Sequence, residues 1–363
     1  MSSHPSDDPA PGGGDARLLP SSEAALLPDV ARDLRWLGWL VETLQPWLPL
    51  WVRRWGYDAA GRADAARVLA RLAQPLTETA LTLPGAAGAP QPARLYTPTR
   101  RAGEPTPLVV YVHGGGFTLG SLDSHAATCR VLAAETGWRV LAVTYRRAPE
   151  HPYPAAADDV LAAYAAVAAH PARYGAHASQ PRLVLAGDSA GGQLVIQTAL
   201  RLRDAAAGGA GDGAGAGAAL PAPALLVPIY PAINSFKAHA SKARYARTYG
   251  ILTLADARAY AAGYLGATPA ARERHARDAH LNPDLQADLS GLPRMLLLTA
   301  EFDLLHDEGV EFAQAARARG ARGVEHIEAT GRLHGCVQNV GRLPSSLATV
   351  KELAARMRAC LGE

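Results

Sequence analysis

Residues 183–192 read Leu-Val-Leu-Ala-Gly-Asp-Ser-Ala-Gly-Gly: an apolar run closes on a Gly-x-Ser-x-Gly pentapeptide, and a stretch with helical spacing follows. A strand that turns at once into a helix is sharp and strained, so small residues must flank the one at its tip. Ser189 sits at that tip, between Gly187-Asp188 and Ala190-Gly191. The pentapeptide alone is common, and the strand before it and helix after it give it weight as a presented nucleophile. Outward from this segment, residues 113–117 read His-Gly-Gly-Gly-Phe after a second apolar run at 108–112. Consecutive glycines let backbone approach a ligand with its N–H groups turned inward; the plainer reading is a flexible strand-to-helix turn. Acyl transfer needs both devices, because the attacked carbonyl oxygen becomes negative and aimed amides stabilise it where water is excluded. The amides of Gly115, Gly116 and Ala190 are the expected oxyanion hole, with His113 bracing the loop that begins at Gly114 rather than acting as a base.

Further apolar runs at 140–145, 225–230, 295–299 and 324–328 alternate with helical stretches at 123–136, 155–169, 190–204, 306–319 and 345–361. Strands alternating with crossover helices predict an α/β fold whose mostly parallel central sheet is flanked by helices on both faces. Runs at 78–83 and 93–97 fit antiparallel edge strands ahead of it. Residues 1–22 are rich in Pro, Gly, Ser and Asp, too poor in apolar surface to offset the entropy of ordering, and are expected to form a disordered tail. Residues 23–75 turn helical, with Trp36, Trp39, Trp47, Trp51 and Trp55 at spacings that share a face, and Pro46 and Pro49 dividing the run. That aromatic face is expected to pack on the main domain, to line a substrate pocket, or both. The core then spans 76–235 and 278–363, interrupted by a low-complexity surface loop at 204–219 and a helical insertion at 236–277 over the active face.

A serine hydroxyl needs a general base, and the base needs an acid that holds its tautomer. Of the histidines downstream of Ser189, His326 lies within a strand, His306 opens a helix, and His239, His275 and His280 fall in the insertion or its exit. His334 remains, in a loop after the last strand at the carboxyl edge of the sheet, where such folds gather their sites. Asp303, just past the run at 295–299, is the preferred acid; Glu301 is an alternative, and Asp307 and Glu308 read as first-turn helix residues favoured by the dipole.

Charge is nearly balanced, with 36 Lys and Arg against 33 Asp and Glu and no basic stripe, so nucleic acid is not an expected partner. The three cysteines, Cys129, Cys336 and Cys360, are too few and too widely spaced for a disulfide framework or a zinc cluster. With no basic and apolar leader in the first residues and no span of about 18 apolar residues, the expectation is a cytoplasmic protein without stable membrane insertion. The chemistry requires no metal and no organic cofactor.

Together these motifs resemble the hormone-sensitive-lipase-like (family IV) esterases of the α/β-hydrolase superfamily, from about residue 75 to the C-terminus. The resemblance rests on His-Gly-Gly-Gly at 113–116, Gly-Asp-Ser-Ala-Gly-Gly at 187–192 and Tyr-Arg-Arg-Ala-Pro-Glu at 145–150, supported by Leu122-Asp123 and the segment 129–133. It implies the α/β-hydrolase fold with a helical cap built from the N-terminus and the insertion, and a triad of Ser189, Asp303 and His334. It also implies a small-molecule ester substrate of short to medium acyl chain; related enzymes often form a homodimer, and the sequence leaves the oligomeric state open. Arg147, Gln193 and Leu304 depart from the family pattern, as does Cys336 two residues after the expected base. Two rivals stay open: an amide or formamide hydrolase of the same fold, and a non-catalytic protein that binds a small ligand.

Overall fold

The computed structural model describes residues 26–33, 48–101, 103–208, 220–246, 252–266 and 268–363. The expected tail at 1–22, Trp36, Trp39 and Trp47, and most of the loop at 204–219 lie outside the described residues.

Eight strands form one sheet: β1 (Leu76–Pro84), β2 (Pro90–Pro98), β3 (Leu108–Val112), β4 (Arg139–Val143), β5 (Leu183–Asp188), β6 (Leu225–Ile229), β7 (Met295–Phe302) and β8 (Val324–Leu333). Their order is β1-β2-β4-β3-β5-β6-β7-β8. The β1–β2 hairpin enters antiparallel and every pairing from β4 to β8 is parallel. Strands β3 to β6 are buried along their whole length, which is why they read as unbroken apolar runs rather than alternating ones.

The helices are α1 (Pro28–Asp33), α2 (Leu50–Leu69), α3 (Ala126–Thr136), α4 (Ala155–Ala169), α5 (Ala190–Ala206), α6 (Ala240–Arg244), α7 (Leu254–Leu265), α8 (Pro269–Ala276), α9 (His306–Ala318) and α10 (Pro344–Leu361). Alternate residues of β3 feed opposite layers, as the two-residue strand period requires. Leu108, Val110 and Val112 join the core under α4, α5 and α9, and Val109 and Tyr111 join the core under α2, α3 and α10. Register then positions chemistry: Val112 lies opposite Gly187 and Asp188 opposite Ile229, so β3, β5 and β6 end level with one another.

Three details differ from the sequence reading. Strand β8 continues to Leu333, past a register irregularity between Ala300 and Phe302 and a left-handed Gly331, and so delivers residue 334 directly from the sheet edge. Helix α5 runs on to Ala206, into the expected loop, because the alanines at 205 and 206 extend a helix readily. The tryptophans of α2 do not pack inward: Trp51 is 71% and Trp55 64% exposed. The buried face of α2 is Gly61, Asp64, Ala65 and Val68. A Cβ on Gly61 would run into the backbone of Ser124, so small residues decide which side of the helix meets the core.

Candidate active site

The level ends of β3, β5 and β6 bring the two motifs together. Ser189 occupies the step from β5 to α5 with φ 57°, a left-handed conformation that side-chain-bearing residues seldom adopt. Its N–H is held by the Ile229 carbonyl at 2.8 Å. The turn has no room for side chains: a Cβ on Gly191 would meet the Val112 carbonyl oxygen, and one on Gly187 would lie 2.6 Å from the Gly191 carbonyl oxygen.

His334 Nε2 lies 2.9 Å from Ser189 Oγ, and its Nδ1 lies 2.6 Å from Asp303 Oδ2. An ionised carboxylate only accepts, so the ring proton sits on Nδ1 and leaves Nε2 free to accept from the hydroxyl. Asp303 is aimed by the Leu305 N–H, which donates to its Oδ1 at 2.9 Å. Glu301 is engaged elsewhere, accepting from the Gly331 N–H at 2.6 Å. The remaining downstream histidines are occupied with other partners: His326 with Thr299, His306 with Asp307 and Glu328, His239 with Glu311, His280 with Asp204, and His275 edge-on to Tyr153.

The glycine loop follows β3 with φ 114° at Gly115 and 59° at Gly116. Among the described residues no acceptor takes the N–H of either glycine or of Ala190. Its base is anchored, since Gly114 N–H donates to Asp188 Oδ1 at 3.0 Å. His113 braces it: Nδ1 contacts the Gly114 carbonyl at 2.8 Å, and the ring stacks on Tyr145 with centroids 4.4 Å apart. Burial, with the imidazole of His125 nearby, pushes His113 down to about 3, so it is neutral at any working pH. A cavity of about 550 Å³ opens above Ser189, bordered by Gly116, Phe117 and Ala190 below and by Phe236, Ala257 and Tyr260 above.

A profile for the alpha/beta hydrolase fold matches residues 109–338. The carboxylic ester hydrolase LipN of Mycobacterium tuberculosis is 36% identical over 287 residues, covering 78% of this chain and 70% of its own length. This chain belongs to the hormone-sensitive-lipase-like family of α/β-hydrolases. The esterase LipI of the same organism is 35% identical over 277 residues, 76% of this chain and 80% of the relative. Among solved structures, the esterase of Pyrobaculum calidifontis superimposes with a TM-score of 0.77 at 32% identity, covering 92% of this chain and 98% of that one. An ester-hydrolase from the Lake Arreo metagenome gives a TM-score of 0.80 at 30% identity over 93% and 100% of the two chains.

Several partners that shape this hydrolase's site had no sequence signal, although Asp188, which gathers some of them, belongs to the serine motif itself. Asp188 is fully buried, and beyond Gly114 it accepts from Tyr111 Oη at 2.8 Å and Gln338 Nε2 at 3.2 Å, with His125 Nε2 at 3.3 Å. Burial opposes its charge, but His125 and these hydrogen bonds outweigh that and hold the carboxyl at about 2. Tyr230, with φ 33°, sets its ring 4.7 Å from that of His334. Glu308 lies in the first turn of α9, as its reading as a helix-start carboxylate expects, but it is also buried, accepting from Ile233 N–H at 2.8 Å and pairing with Lys242 at 2.6 Å beside the cavity. Such long-range partners share no local spacing with the motifs. Cys336 is a small buried hydrophobe whose thiol burial pushes up to about 12, and the cavity wall does not include it.

Proposed function

We propose that the chain is a serine carboxylesterase that hydrolyses short- to medium-chain acyl esters, with Ser189 as nucleophile, His334 as general base and Asp303 as its orienting acid. The observation that carries this is the unbroken line from Ser189 Oγ through both ring nitrogens of His334 to Asp303, at 2.9 and 2.6 Å. As Ser189 attacks, His334 takes its proton, and Asp303 stabilises the imidazolium without itself being protonated. The tetrahedral oxyanion accepts from the amides of Gly115, Gly116 and Ala190. His334 then returns the proton to the departing alcohol, and water resolves the acyl-enzyme by the same steps in reverse. The segment carrying α6 to α8 acts as a cap that walls the acyl site, braced from α2 by Arg53 against Tyr260 and Asp256, while the core comprises 76–235 and 278–363. The names of the similar proteins, among them an ethyl acetate hydrolase from Pseudomonas putida, support a small ester as substrate.

The test is turnover of a p-nitrophenyl ester series from acetate to decanoate, beside an aryl formamide, by the wild type and Ser189→Ala. The proposal expects ester turnover that is greatest at short to medium chains and vanishes in the variant. Faster cleavage of the formamide would instead mark an amide hydrolase, and no turnover of either would favour a ligand-binding protein.

A further inference from the structure

We propose that Arg54, on a helix outside the stretch matched by the family profile, is a positioning residue for the oxyanion loop; the inference rests on the esterase reading above. The loop's backbone is left-handed at Gly115, Gly116, Phe117 and Gly120, and at Phe117, with φ 60°, that conformation is costly for a side-chain-bearing residue and persists only where the surroundings hold it.

The segment 145–150 runs alongside and supplies part of that support. Tyr145 Oη donates to the His113 carbonyl at 3.1 Å, Arg147 Nη1 to the Gly120 carbonyl at 2.8 Å, and the Ala148 N–H to the Phe117 carbonyl at 2.9 Å. Arg54 locks the two segments to each other. Its Nε donates to the Thr118 carbonyl at 2.9 Å, and its Nη2 to the Ala148 carbonyl at 2.9 Å. Both terminal nitrogens also grip the Glu150 carboxylate, at 2.7 and 2.8 Å. That pairing is what chiefly holds Glu150 down at about 2.

Thr118 passes the constraint inward, because its hydroxyl donates to the Gly116 carbonyl at 3.1 Å. One guanidinium therefore reaches the glycine whose amide faces the oxyanion through a single intervening residue. Exposed ion pairs contribute little as a rule. This side chain is only 18% exposed and donates to two backbone carbonyls as well as a carboxylate, which needs a planar fork that lysine lacks.

The experiment compares wild type, Arg54→Ala, Arg54→Lys and, as a control on the same helix, Arg62→Ala, whose partner Asp123 lies outside the loop. Each is assayed for kcat and KM on p-nitrophenyl butyrate, for inhibition by a phenylboronic acid that adds to the serine as a tetrahedral anion, and for thermal melting. Misplacing a catalytic group by about 1 Å costs on the order of 100-fold, so Arg54→Ala should lose about 10- to 100-fold in kcat with KM within about threefold of wild type. Boronate affinity should fall in parallel, Arg54→Lys should recover only part of both, and Arg62→Ala should retain both. If Arg54→Ala does not fold, Arg54→Lys carries the test. Wild-type kcat and boronate affinity in whichever Arg54 variant folds, or a loss confined to KM, would overturn the proposal. A wild type that turns over no ester would instead refute the esterase reading itself.

Discussion

Asp188 accepts the amide proton of Gly114 at 3.0 Å, so the residue that precedes the nucleophile holds the first glycine of the oxyanion loop. Nucleophile and oxyanion donors are thereby set relative to each other across the β3–β5 pairing. Tyr111, Gln338 and His125 complete the cluster, adding the end of β3, the loop after β8 and the start of α3.

Asp188→Asn should weaken both stability and rate. The amide keeps one acceptor but turns a donor toward His125 and Gln338, leaving buried polar atoms unsatisfied at a cost of roughly 1–3 kcal/mol. Chemical denaturation should report that loss, and kcat on p-nitrophenyl butyrate should fall while KM moves little.

Removing the nucleophile in Ser189→Ala should lower turnover by at least roughly 10⁴-fold with the fold intact by circular dichroism. Asp303→Asn should cost about 10⁴-fold, because an amide permits the wrong imidazole tautomer. Glu301→Gln is the informative contrast. Its partner is the Gly331 amide, so retention of activity is expected, and a loss as large as that of Asp303→Asn would contradict the assignment of the acid.

Gly116→Ala should abolish most activity although no side-chain functional group is removed. The added Cβ would collide with the Tyr260 ring from α7, and alanine is strained at φ 59°. Displacing one oxyanion donor costs on the order of 100- to 1000-fold in kcat, which steady-state kinetics on a short ester would resolve.

Acid should destabilise the fold through His113. In the unfolded chain its imidazole takes a proton near 6.5, whereas in the folded protein burial delays this to about 3. Between these values the unfolded state binds more protons, so stability rises with pH across that window and is lost on acidification, at about 1.4 kcal/mol per pH unit. Asp188 adds a loss of the same sign as pH falls from 3.8 toward about 2. Urea titrations at pH 7, 6, 5 and 4 should show the slope, and His113→Gln should flatten it; an unchanged slope would refute this origin.

Thiol reagents should spare activity. Cys336 lies two residues from the expected base, yet burial raises its thiol to about 12, which leaves almost no thiolate near neutral pH. Full turnover after prolonged iodoacetamide treatment is the expected result, and rapid inactivation would show that the site opens further than this packing allows.

The sequence by itself determined the sheet and both motifs. Fully buried parallel strands have to be continuous apolar runs, and a strand-to-helix step has to be built of small residues, so 108–112 and 183–191 announce themselves. It also narrowed the base to His334, because the other downstream histidines stood in strands, helix starts or the insertion. Tertiary structure alone decided the rest. Asp303 rather than Glu301 meets the imidazole because β7 and β8 pair past a register irregularity that turns Glu301 toward the Gly331 amide. The aromatic spacing of α2 pointed to the wrong face, since Gly61 and Ala65 allow closer approach to the core than Trp51 and Trp55 do. Arg54, Tyr111, His125 and Gln338 act on the loop and the elbow from distances of 63 to 150 residues along the chain. Such contacts follow from how whole elements stack, and a local pattern carries no record of which distant side chain will fill the space beside it.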